Sequence, residues 1–420
     1  MTQPLRNWAG NVGYGAASLA TPTSVPELQE LVAHSSRVKA IGTRHSFNRI
    51  ADTQGTLVST AGLPADIVID DRAMTVRVNG ASPYGVLAGE LQSQGYALEN
   101  MGSLPHISVA GATATGTHGS GDHNGILSTS IAAIDLVTAD GERITIDRSA
   151  ADLSAIAVGL GAFGVIVGLT LDIQPTFTVR QDIFLNVPWS TAVEQFDDIM
   201  SSAYSVSLMG RYGGPTIQQL WCKVRLGDQE DPAPVPGSLY GGSWYDDADL
   251  PEGHNLNVRG SIPGPWSERL SHFRLDSAPS AGGDELQSEW FVDRAHAAAA
   301  LTELRALGDR IDPHLHATEI RTCAADELWL SPAYRRQSVC FGFTWRNHPD
   351  EVAALVPVVE QALAPFQPRA HWGKLFAMDG AELTARYPRA AEFRDLTRRY
   401  DPTGKFWNPF LSAVFDQGDG

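Results

Sequence analysis

Residues 108–121 of the chain are SVAGATATGTHGSG, which combines four glycines and five hydroxyl side chains with no carboxylate, lysine or arginine. Successive backbone N–H groups without bulky side chains, together with hydroxyls, suit a loop that holds a pyrophosphate. A glycine-rich turn packed tightly beneath a sheet explains the same composition equally well. The stretch therefore predicts either a phosphate cradle or a close-packed turn.

Strand-like and helix-like patterns alternate over short distances on both sides of this stretch. Apolar residues at helical spacing and β-branched runs predict an α+β module that ends near Pro175. The predicted helices are 26–33, 83–95 and 153–158, and the predicted strands are 38–41, 56–59, 67–69, 75–78, 131–137, 144–146 and 165–173.

A second domain is predicted from Thr176 onward, because 420 residues exceed the roughly 250–300 that one hydrophobic core usually organises. Residues 226–265 are dense in proline, glycine and acidic side chains, which predicts a long irregular excursion. The predicted strands of this domain are 286–292, 318–324 and 339–345, and its predicted helices are 293–307 and 351–363.

The charge balance and the cysteine count limit the partners and the surroundings of the chain. Lys and Arg number 31 against 48 Asp and Glu, so a net charge of −17 disfavours nucleic acid and anionic membranes. Three widely spaced cysteines suit a reducing compartment, and no signal peptide or spanning segment is recognisable. We therefore expect a cytoplasmic protein without nucleic-acid or membrane partners.

The sequence GLGAFG at residues 159–164 matches the dinucleotide-binding pattern GxGxxG. That pattern needs a strand before it and a helix after it, whereas here a β-branched strand follows. We therefore predict a tight turn against a cofactor or a helix, and a nicotinamide dehydrogenase is disfavoured.

His45 lies in GTRHSFN, residues 42–48, directly after a predicted buried strand. A single histidine in such a loop is more often structural than functional. Three further histidines, His106, His118 and His123, raise the question of a zinc site, but Asp122 is the only carboxylate near them and no HExxH pattern is present. No metal site is predicted.

Several long motifs in one order resemble the vanillyl-alcohol oxidase superfamily of FAD enzymes and, within it, the alditol oxidases. The motifs are NWAGN at 7–11, GTRHSFN at 42–48, NMGSLPHISVAG at 100–111, ATGTHGSG at 114–121, EIR at 319–321, FTW at 343–345, HWGK at 371–374 and DPTGKFWNPF at 401–410. The resemblance extends over nearly the whole chain, and such a set is far more specific than any single motif.

The resemblance implies an α+β fold with a two-subdomain FAD-binding domain of the PCMH type and an α+β cap that contains an antiparallel sheet. The expected boundaries are 1–175 for the FAD-binding domain, 176–370 for the cap and 371–420 for a C-terminal return to the FAD-binding domain.

The resemblance also implies that the His45 imidazole is bonded covalently to the 8α carbon of FAD. The other residues that it places against the cofactor are Gly42, Thr43, Arg44, Ser46, Ser103, Ser108, Gly111, Thr113, Thr115, Gly116, Thr117, His118, Gly121, Gly161, Val165 and His371. Arg44 departs from the family, in which many relatives have a small residue, so its role stays open between a phosphate contact and solvent. Gly102 stands where relatives carry a small residue that lets oxygen approach the flavin, although a turn with positive φ explains a glycine there as well.

Period-two geometry puts Glu319 and Arg321 on one face of their predicted strand. The same rule puts Thr344 on a face of strand 339–345 that lacks bulky side chains. On its own this pattern is more typical of an ordinary ion pair within a sheet. The resemblance reverses that preference, because it places Ser103, Glu319, Arg321, Thr344 and Lys374 around a polyol substrate.

Lys374 and Arg321 are the expected catalytic residues. A polyol that gives hydride from its terminal carbon must also lose a hydroxyl proton, and cations at that oxygen stabilise developing alkoxide. We expect Lys374 to accept the proton, since Arg321 repels its charge while arginine itself stays charged.

The expected reaction oxidises the terminal CH–OH of an alditol such as xylitol, sorbitol or glycerol to the aldose and reduces O₂ to H₂O₂. An aldonolactone oxidase or dehydrogenase of the same superfamily is the alternative within the enzymes. A flavin-binding protein that has lost catalysis is the alternative outside them. The expected partners are the polyol and molecular oxygen, and we expect a monomer.

Overall fold

The computed structural model describes residues 5–227, 233–246, 254–280 and 284–416. Three sheets and four helices make up the N-terminal part of the fold. Their bounds are β1 (Ser18–Ala20), α1 (Val25–His34), β2 (Val38–Ala40), β3 (Thr56–Val58), β4 (Ile67–Asp70), β5 (Thr75–Asn79), α2 (Tyr84–Ser93), β6 (Tyr96–Ala97), α3 (Val109–Ala114), β7 (Ile131–Val137), β8 (Arg143–Asp147), α4 (Leu153–Ile156), β9 (Val165–Asp172) and β10 (Gln174–Pro175).

The larger sheets of this part differ in the direction of their strands. β1 and β2 both pair in parallel with β3, whereas the five-stranded sheet β4-β5-β9-β7-β8 is antiparallel throughout. One core cluster joins the two sheets through Leu28 and Val32 of α1, Val58 of β3 and Val165 of β9. These four side chains are fully buried, so α1 packs against both sheets through one shared apolar core.

One extensive sheet dominates the remainder of the fold. The elements are β11 (Thr178–Pro188), α5 (Trp189–Glu194), α6 (Phe196–Met200), β12 (Ser205–Gly210), β13 (Thr216–Leu226), β14 (Ser238–Leu239), β15 (Gly242–Trp244), β16 (Gly264–Pro265), α7 (Trp266–Arg269), β17 (Glu285–Asp293), α8 (Ala297–Ala306), α9 (Gly308–Ile311), β18 (Leu315–Cys323), β19 (Ser338–Arg346), α10 (Pro349–Leu363), β20 (Arg369–Ala370), α11 (Gly380–Ala385), α12 (Ala390–Tyr400) and α13 (Pro409–Phe415). The strand order is β14-β15-β11-β13-β12-β18-β19-β17-β20, with β16 paired to β11.

The register of the central strands aligns the residues on one face of this sheet. Glu319 of β18 pairs with Gly342 of β19 and with Met209 of β12, and Gly342 pairs in turn with Glu289 of β17. Because side chains alternate between faces, residues that pair directly project to the same side. Helices α5, α8 and α10 cover the other side with apolar residues, among them Leu301 and Val359.

The C-terminal segment after β20 returns to the N-terminal part of the fold. The Phe47 N–H donates to the carbonyl of Gly373 at 2.7 Å, and the Asn408 side chain donates to the carbonyl of Ile50 at 3.0 Å. Phe393 of α12 meets Phe163 edge to face, with 5.2 Å between ring centroids. The segment therefore packs against the loop that carries His45.

The predicted α+β class is confirmed, and each predicted element has a counterpart in the structure. Strand 131–137 has the predicted bounds, but the predicted strand 318–324 begins three residues earlier, at Leu315, because its pairing with β19 extends past a bulge. The predicted helix 293–307 begins only at Ala297, after a 3₁₀ turn in which Asp293 accepts a hydrogen bond from the Ala295 N–H.

The predicted excursion 226–265 contains residues 228–232 and 247–253, which lie outside the described residues. Its described residues are not wholly irregular, since β14, β15 and β16 add short edges to the large sheet. Among the helices of the described residues, none has the length and apolar content needed to cross a bilayer.

Candidate active site

A cavity of about 840 Å³ lies between the N-terminal part of the fold and the face of the large sheet that carries Glu289 and Glu319. Loops 42–46 and 103–118 border it on one side, and β12, β13, β17, β18 and β19 border it on the other. Its mixed lining of small residues, hydroxyls and charged side chains is typical of a pocket for a ligand rather than of a packing defect.

Glycines bring the backbone of the two loops close together at this cavity. A Cβ atom on Gly42 would lie 2.3 Å from Ser108 Oγ, and one on Gly111 would lie 2.7 Å from the same atom. Both distances are shorter than any real contact, so neither position accepts a side chain without displacing Ser108. These contacts match the close-packed interpretation of residues 108–121, since glycine is what lets loop 42–46 and α3 approach Ser108.

Most of the residues predicted to contact the cofactor line this cavity. They are Gly42, Thr43, Arg44, His45, Ser46, Ser103, Ser108, Gly111, Thr115, Thr117, His118, Gly161 and His371.

Four residues of the predicted set do not line the cavity, and their contact with the cofactor stays a prediction. Thr113 is fully buried, and its hydroxyl donates to the carbonyl of Val109 within α3. Val165 is fully buried in the core cluster around α1. Gly116 and Gly121 have φ angles of 70° and 134°, so their role is to allow turns that other residues rarely adopt.

His45 has the most unusual surroundings of the residues in the cavity. Both ring nitrogens are buried, and neither has a hydrogen-bond partner among the described residues. Trp8 stacks on the imidazole with ring centroids 5.3 Å apart. Burial, with a smaller contribution from His106, lowers the pKa of His45 to about 4. An uncharged imidazole with two unused nitrogens is unfavourable unless a further group satisfies one of them.

The backbone conformations of Arg44 and Gly102 bear on the two explanations that the sequence left open. Arg44 has a φ of 64°, a left-handed conformation that residues other than glycine rarely adopt, and its guanidinium donates to the carbonyl of Arg6 at 3.2 Å. Gly102 does not have a positive φ, so the explanation of this glycine by a turn with positive φ is wrong. A Cβ there would make ordinary contacts of 3.6 Å with Ile107 and Thr117.

A buried carboxylate connects the cationic side chains that were predicted at the substrate site. The Arg321 guanidinium donates to Glu289 Oε1 at 2.8 Å, and Lys374 Nζ lies 2.9 Å from Glu289 Oε2. His118 Nε2 lies 3.1 Å from Glu289 Oε1. Although burial alone would raise the pKa of Glu289, Lys374, His118 and Arg321 together hold it well below its usual value. Glu289 is therefore ionised at neutral pH.

Glu319 is held on the opposite side of Arg321. Its Oε1 atom lies 2.6 Å from His272 Nε2, 3.3 Å from Ser207 Oγ and 3.5 Å from Arg321 Nε. The Arg321 guanidinium also donates to Ser103 Oγ at 3.2 Å. The structure thus brings together Ser103, Glu319 and Arg321, as predicted, and Thr344 and Lys374 line the same cavity.

Sequence reasoning missed Glu289 and His272. Glu289 follows Glu285 and Gln287 at period two on its strand, and this row of polar side chains is a signal that could have identified it. His272 lies in an irregular segment, where no periodic pattern marks it. Glu289 also changes the electrostatics that were expected for Lys374. It contacts both Arg321 and Lys374, so its negative charge offsets the repulsion between these two cations.

The arrangement offers the groups that recognition of several hydroxyls requires. Glu319 accepts, Arg321 and Lys374 donate, and the hydroxyls of Ser103 and Thr344 can do either. These side chains line one cavity and are buried or half-buried, so their electrostatic interactions are stronger than on the open surface.

Buried uncharged histidines predict that acid destabilises the protein. Burial lowers the pKa of His272 to about 4 and that of His371 to about 3, whereas an unfolded histidine titrates near 6.5. The unfolded chain therefore binds more protons between these values, and stability is lost as the pH falls from about 6.5 to about 4.

We expect the free energy of unfolding of the holoprotein to be roughly 2 kcal/mol lower at pH 5 than at pH 7 for each of these histidines. Urea unfolding followed by circular dichroism at the two pH values measures this loss. A His371→Asn variant should show a weaker pH dependence. Stability that is equal at both values, or higher at pH 5, would contradict the assignment of uncharged imidazoles.

Comparisons with known proteins agree with this geometry. A family model described as "FAD binding domain" matches residues 16–147, and one described as "D-arabinono-1,4-lactone oxidase" matches residues 284–414. Cholesterol oxidase from B. sterolicum has a similar structure, with a TM-score of 0.79 over 98% of this chain and 96% of that chain, at 14% identity. At that identity the likeness concerns the fold alone.

Three curated relatives are similar over almost the full chain. Alditol oxidase from a Streptomyces species is 42% identical and covers 99% of this chain and 100% of that protein. L-gulono-1,4-lactone dehydrogenase from Mycobacterium tuberculosis is 28% identical over 97% of this chain and 98% of that protein. L-gulonolactone oxidase from Mus musculus is 26% identical over 98% of each.

The fold and the matched domain define the class of protein: an FAD-dependent oxidoreductase with the vanillyl-alcohol oxidase, or PCMH-type, architecture. Because full-length identity is much higher to the alditol oxidase than to the lactone enzymes, the resemblance seen in the sequence is confirmed at a finer level. The chain belongs to the alditol oxidase family.

Proposed function

We propose that this protein oxidises the terminal CH–OH of alditols to the aldose, with FAD bonded covalently to His45 and with O₂ reduced to H₂O₂. The observation that supports this most strongly is the coexistence of two features in one cavity. One is an imidazole whose two buried nitrogens have no partner among the described residues, and the other is the charged cluster Glu319, Arg321, Glu289 and Lys374.

The residues present fit the cofactor. The unused nitrogens of His45 and the close approach of Gly42 and Gly111 to Ser108 suit an attached ring and a phosphate-bearing tail. We assign to the cofactor the cavity-lining residues given above, and bound FAD would supply the hydride acceptor. The domain division 1–175, 176–370 and 371–420 belongs to the same proposal, as do a cytoplasmic location and a monomeric state.

The chain's own residues would act on the substrate in two ways. Arg321 and Ser103 donate to the oxygen atom that becomes the carbonyl, and Lys374 accepts the hydroxyl proton from it. Glu289 lies 2.9 Å from Lys374 Nζ, where its charge stabilises the positive charge that the amine gains. Glu319 and Thr344 accept and donate hydrogen bonds along the remaining hydroxyls.

Oxidation of an aldonolactone is the second candidate, because the match of residues 284–414 to the lactone oxidase model falls on the part that carries the charged cluster. The proposed function predicts that peroxide forms with xylitol or sorbitol and not with L-gulono-1,4-lactone. A peroxide assay of the purified holoprotein against both classes decides between them. Peroxide from the lactone alone would replace the main proposal with the second candidate.

A further inference from the structure

The wall of the cavity behind Glu319 contains a buried lysine. Lys223 of β13 is 1% exposed, and its ammonium group contacts three acceptors: the carbonyl of Leu270, the carbonyl of Ser271 at 3.4 Å and His272 Nδ1 at 3.0 Å. An ammonium group has three N–H donors, so each of them has an acceptor here.

Lysine is a rare residue in this chain. The sequence contains four lysines, and therefore 27 arginines among its 31 Lys and Arg residues. Lys39, Lys223 and Lys405 are buried, and the fourth, Lys374, lines the cavity. The chain thus uses arginine for its solvated surface, and a lysine marks a place where a compact ammonium group is enclosed.

The contact with Lys223 fixes the hydrogen position on His272. Burial lowers the pKa of Lys223 to about 7, but in either charge state a lysine N–H can donate to Nδ1, which leaves the hydrogen of the uncharged imidazole on Nε2. Nε2 lies 2.6 Å from Glu319 Oε1, which can only accept as a carboxylate. The His272 ring also packs edge to face on Trp221, with centroids 4.9 Å apart, so it has little freedom to rotate.

The contacts to Glu319 are one-sided. His272, Ser207 and Arg321 all bind Oε1, and no described residue bonds Oε2. Oε2 is not a buried atom that lacks a partner, so it is accessible from the cavity that Glu319 lines. One oxygen is therefore anchored, and the other is free to accept a hydrogen bond from a ligand.

We propose that Lys223 and His272 are positioning residues for substrate recognition: the lysine fixes the tautomer of His272, whose Nε2–H anchors Glu319 Oε1 so that Oε2 is presented to a substrate hydroxyl. This inference rests on the proposed function, because it takes Glu319 as a ligand of the polyol. It predicts an effect on binding that exceeds the effect on the chemical step, since neither residue contacts the atoms that react.

The test uses anaerobic stopped-flow reduction of the holoprotein by xylitol. It separates the xylitol concentration that gives half-maximal reduction from the limiting rate of reduction. We expect His272→Leu to raise that concentration about tenfold or more, because the anchored carboxylate loses its charge-assisted donor. The limiting rate should fall by less than about threefold. His272→Gln keeps an N–H donor near the position of Nε2 and should restore most of the affinity.

Two further variants keep the test decisive. The double variant Lys223→Met with His272→Leu removes both members of the pair, so that no ammonium group is left buried without its acceptor, and it should resemble His272→Leu. His123→Gln changes an exposed histidine outside the cavity and should leave both constants unchanged.

Unchanged half-saturation in His272→Leu, or failure of His272→Gln to recover affinity while its flavin content and circular dichroism match the wild type, would overturn the positioning role. A wild-type protein that xylitol does not reduce would overturn both this inference and the proposed function. A reducible wild type with an unaffected His272→Leu variant would overturn the positioning role alone.

Discussion

Replacing Lys374 with methionine is expected to slow reduction of the flavin by xylitol about 10²- to 10³-fold, within the range that loss of a positioned general base produces. Methionine has nearly the length of lysine but can neither accept a proton nor pair with Glu289. The rate is measured by anaerobic stopped-flow absorbance at saturating xylitol.

Lys374→Arg is the matched variant, because it places a permanent positive charge beside Glu289 but, being always protonated, cannot accept the hydroxyl proton. If Lys374 accepts the hydroxyl proton, the arginine variant should remain slow as well. Recovery of the wild-type rate by arginine would assign Lys374 an electrostatic role instead. A wild-type rate in the methionine variant would exclude Lys374 from the chemistry altogether.

Replacing His45 with alanine is expected to abolish the covalent attachment of the flavin completely. Among the described residues that line the cavity, His45 is the histidine with both ring nitrogens buried and without partners, whereas His316 has one such nitrogen. Burial lowers the pKa of His45 to about 4, so its free imidazole is uncharged and nucleophilic at neutral pH. Acid precipitation followed by absorbance of the pellet and the supernatant measures the attachment.

His106→Ala is the control for this experiment, since His106 lies near His45 but does not line the cavity. The wild type and the control should keep the yellow colour in the precipitate, and His45→Ala should release all of it. Flavin that stays with the His45→Ala polypeptide would assign the attachment to another residue.

The local patterns of this sequence predicted part of its elements, whereas the long strands β11 and β13 were not predicted. The β-branched run at 165–173 and the period-two pairs at 319–321 and 339–345 each led to a strand in the structure. Their side chains alternate between two faces of a sheet, and this alternation is visible in the sequence itself. Long-range strand order has no such local signal.

Glu289 shows why the site could be predicted only in part. Its partners are Arg321 on β18, Lys374 in the segment after β20 and His118 in loop 103–118, which are far apart in the sequence. Gly342 on β19 leaves the necessary space, since a Cβ there would lie 3.2 Å from Glu289 Oε1. No pattern in a single strand indicates that three distant segments converge on one carboxylate.

The flavin-contact residues illustrate the same limit. Thr113 lies in α3 and Thr115 directly follows it, and the two point in different directions: Thr113 is buried in the core, and Thr115 lines the cavity. A family motif that is carried over as a whole places both residues against the cofactor. The short helix α3, whose bounds the sequence did not predict, separates the two roles.

The most direct test of this account is an anaerobic titration of the purified holoprotein with xylitol, followed by acid precipitation of the same sample. The account predicts that xylitol bleaches the flavin absorbance in full and that, after reoxidation in air, the colour remains with the precipitated polypeptide. Flavin that stays oxidised in excess xylitol, or colour that remains in the supernatant, would contradict it.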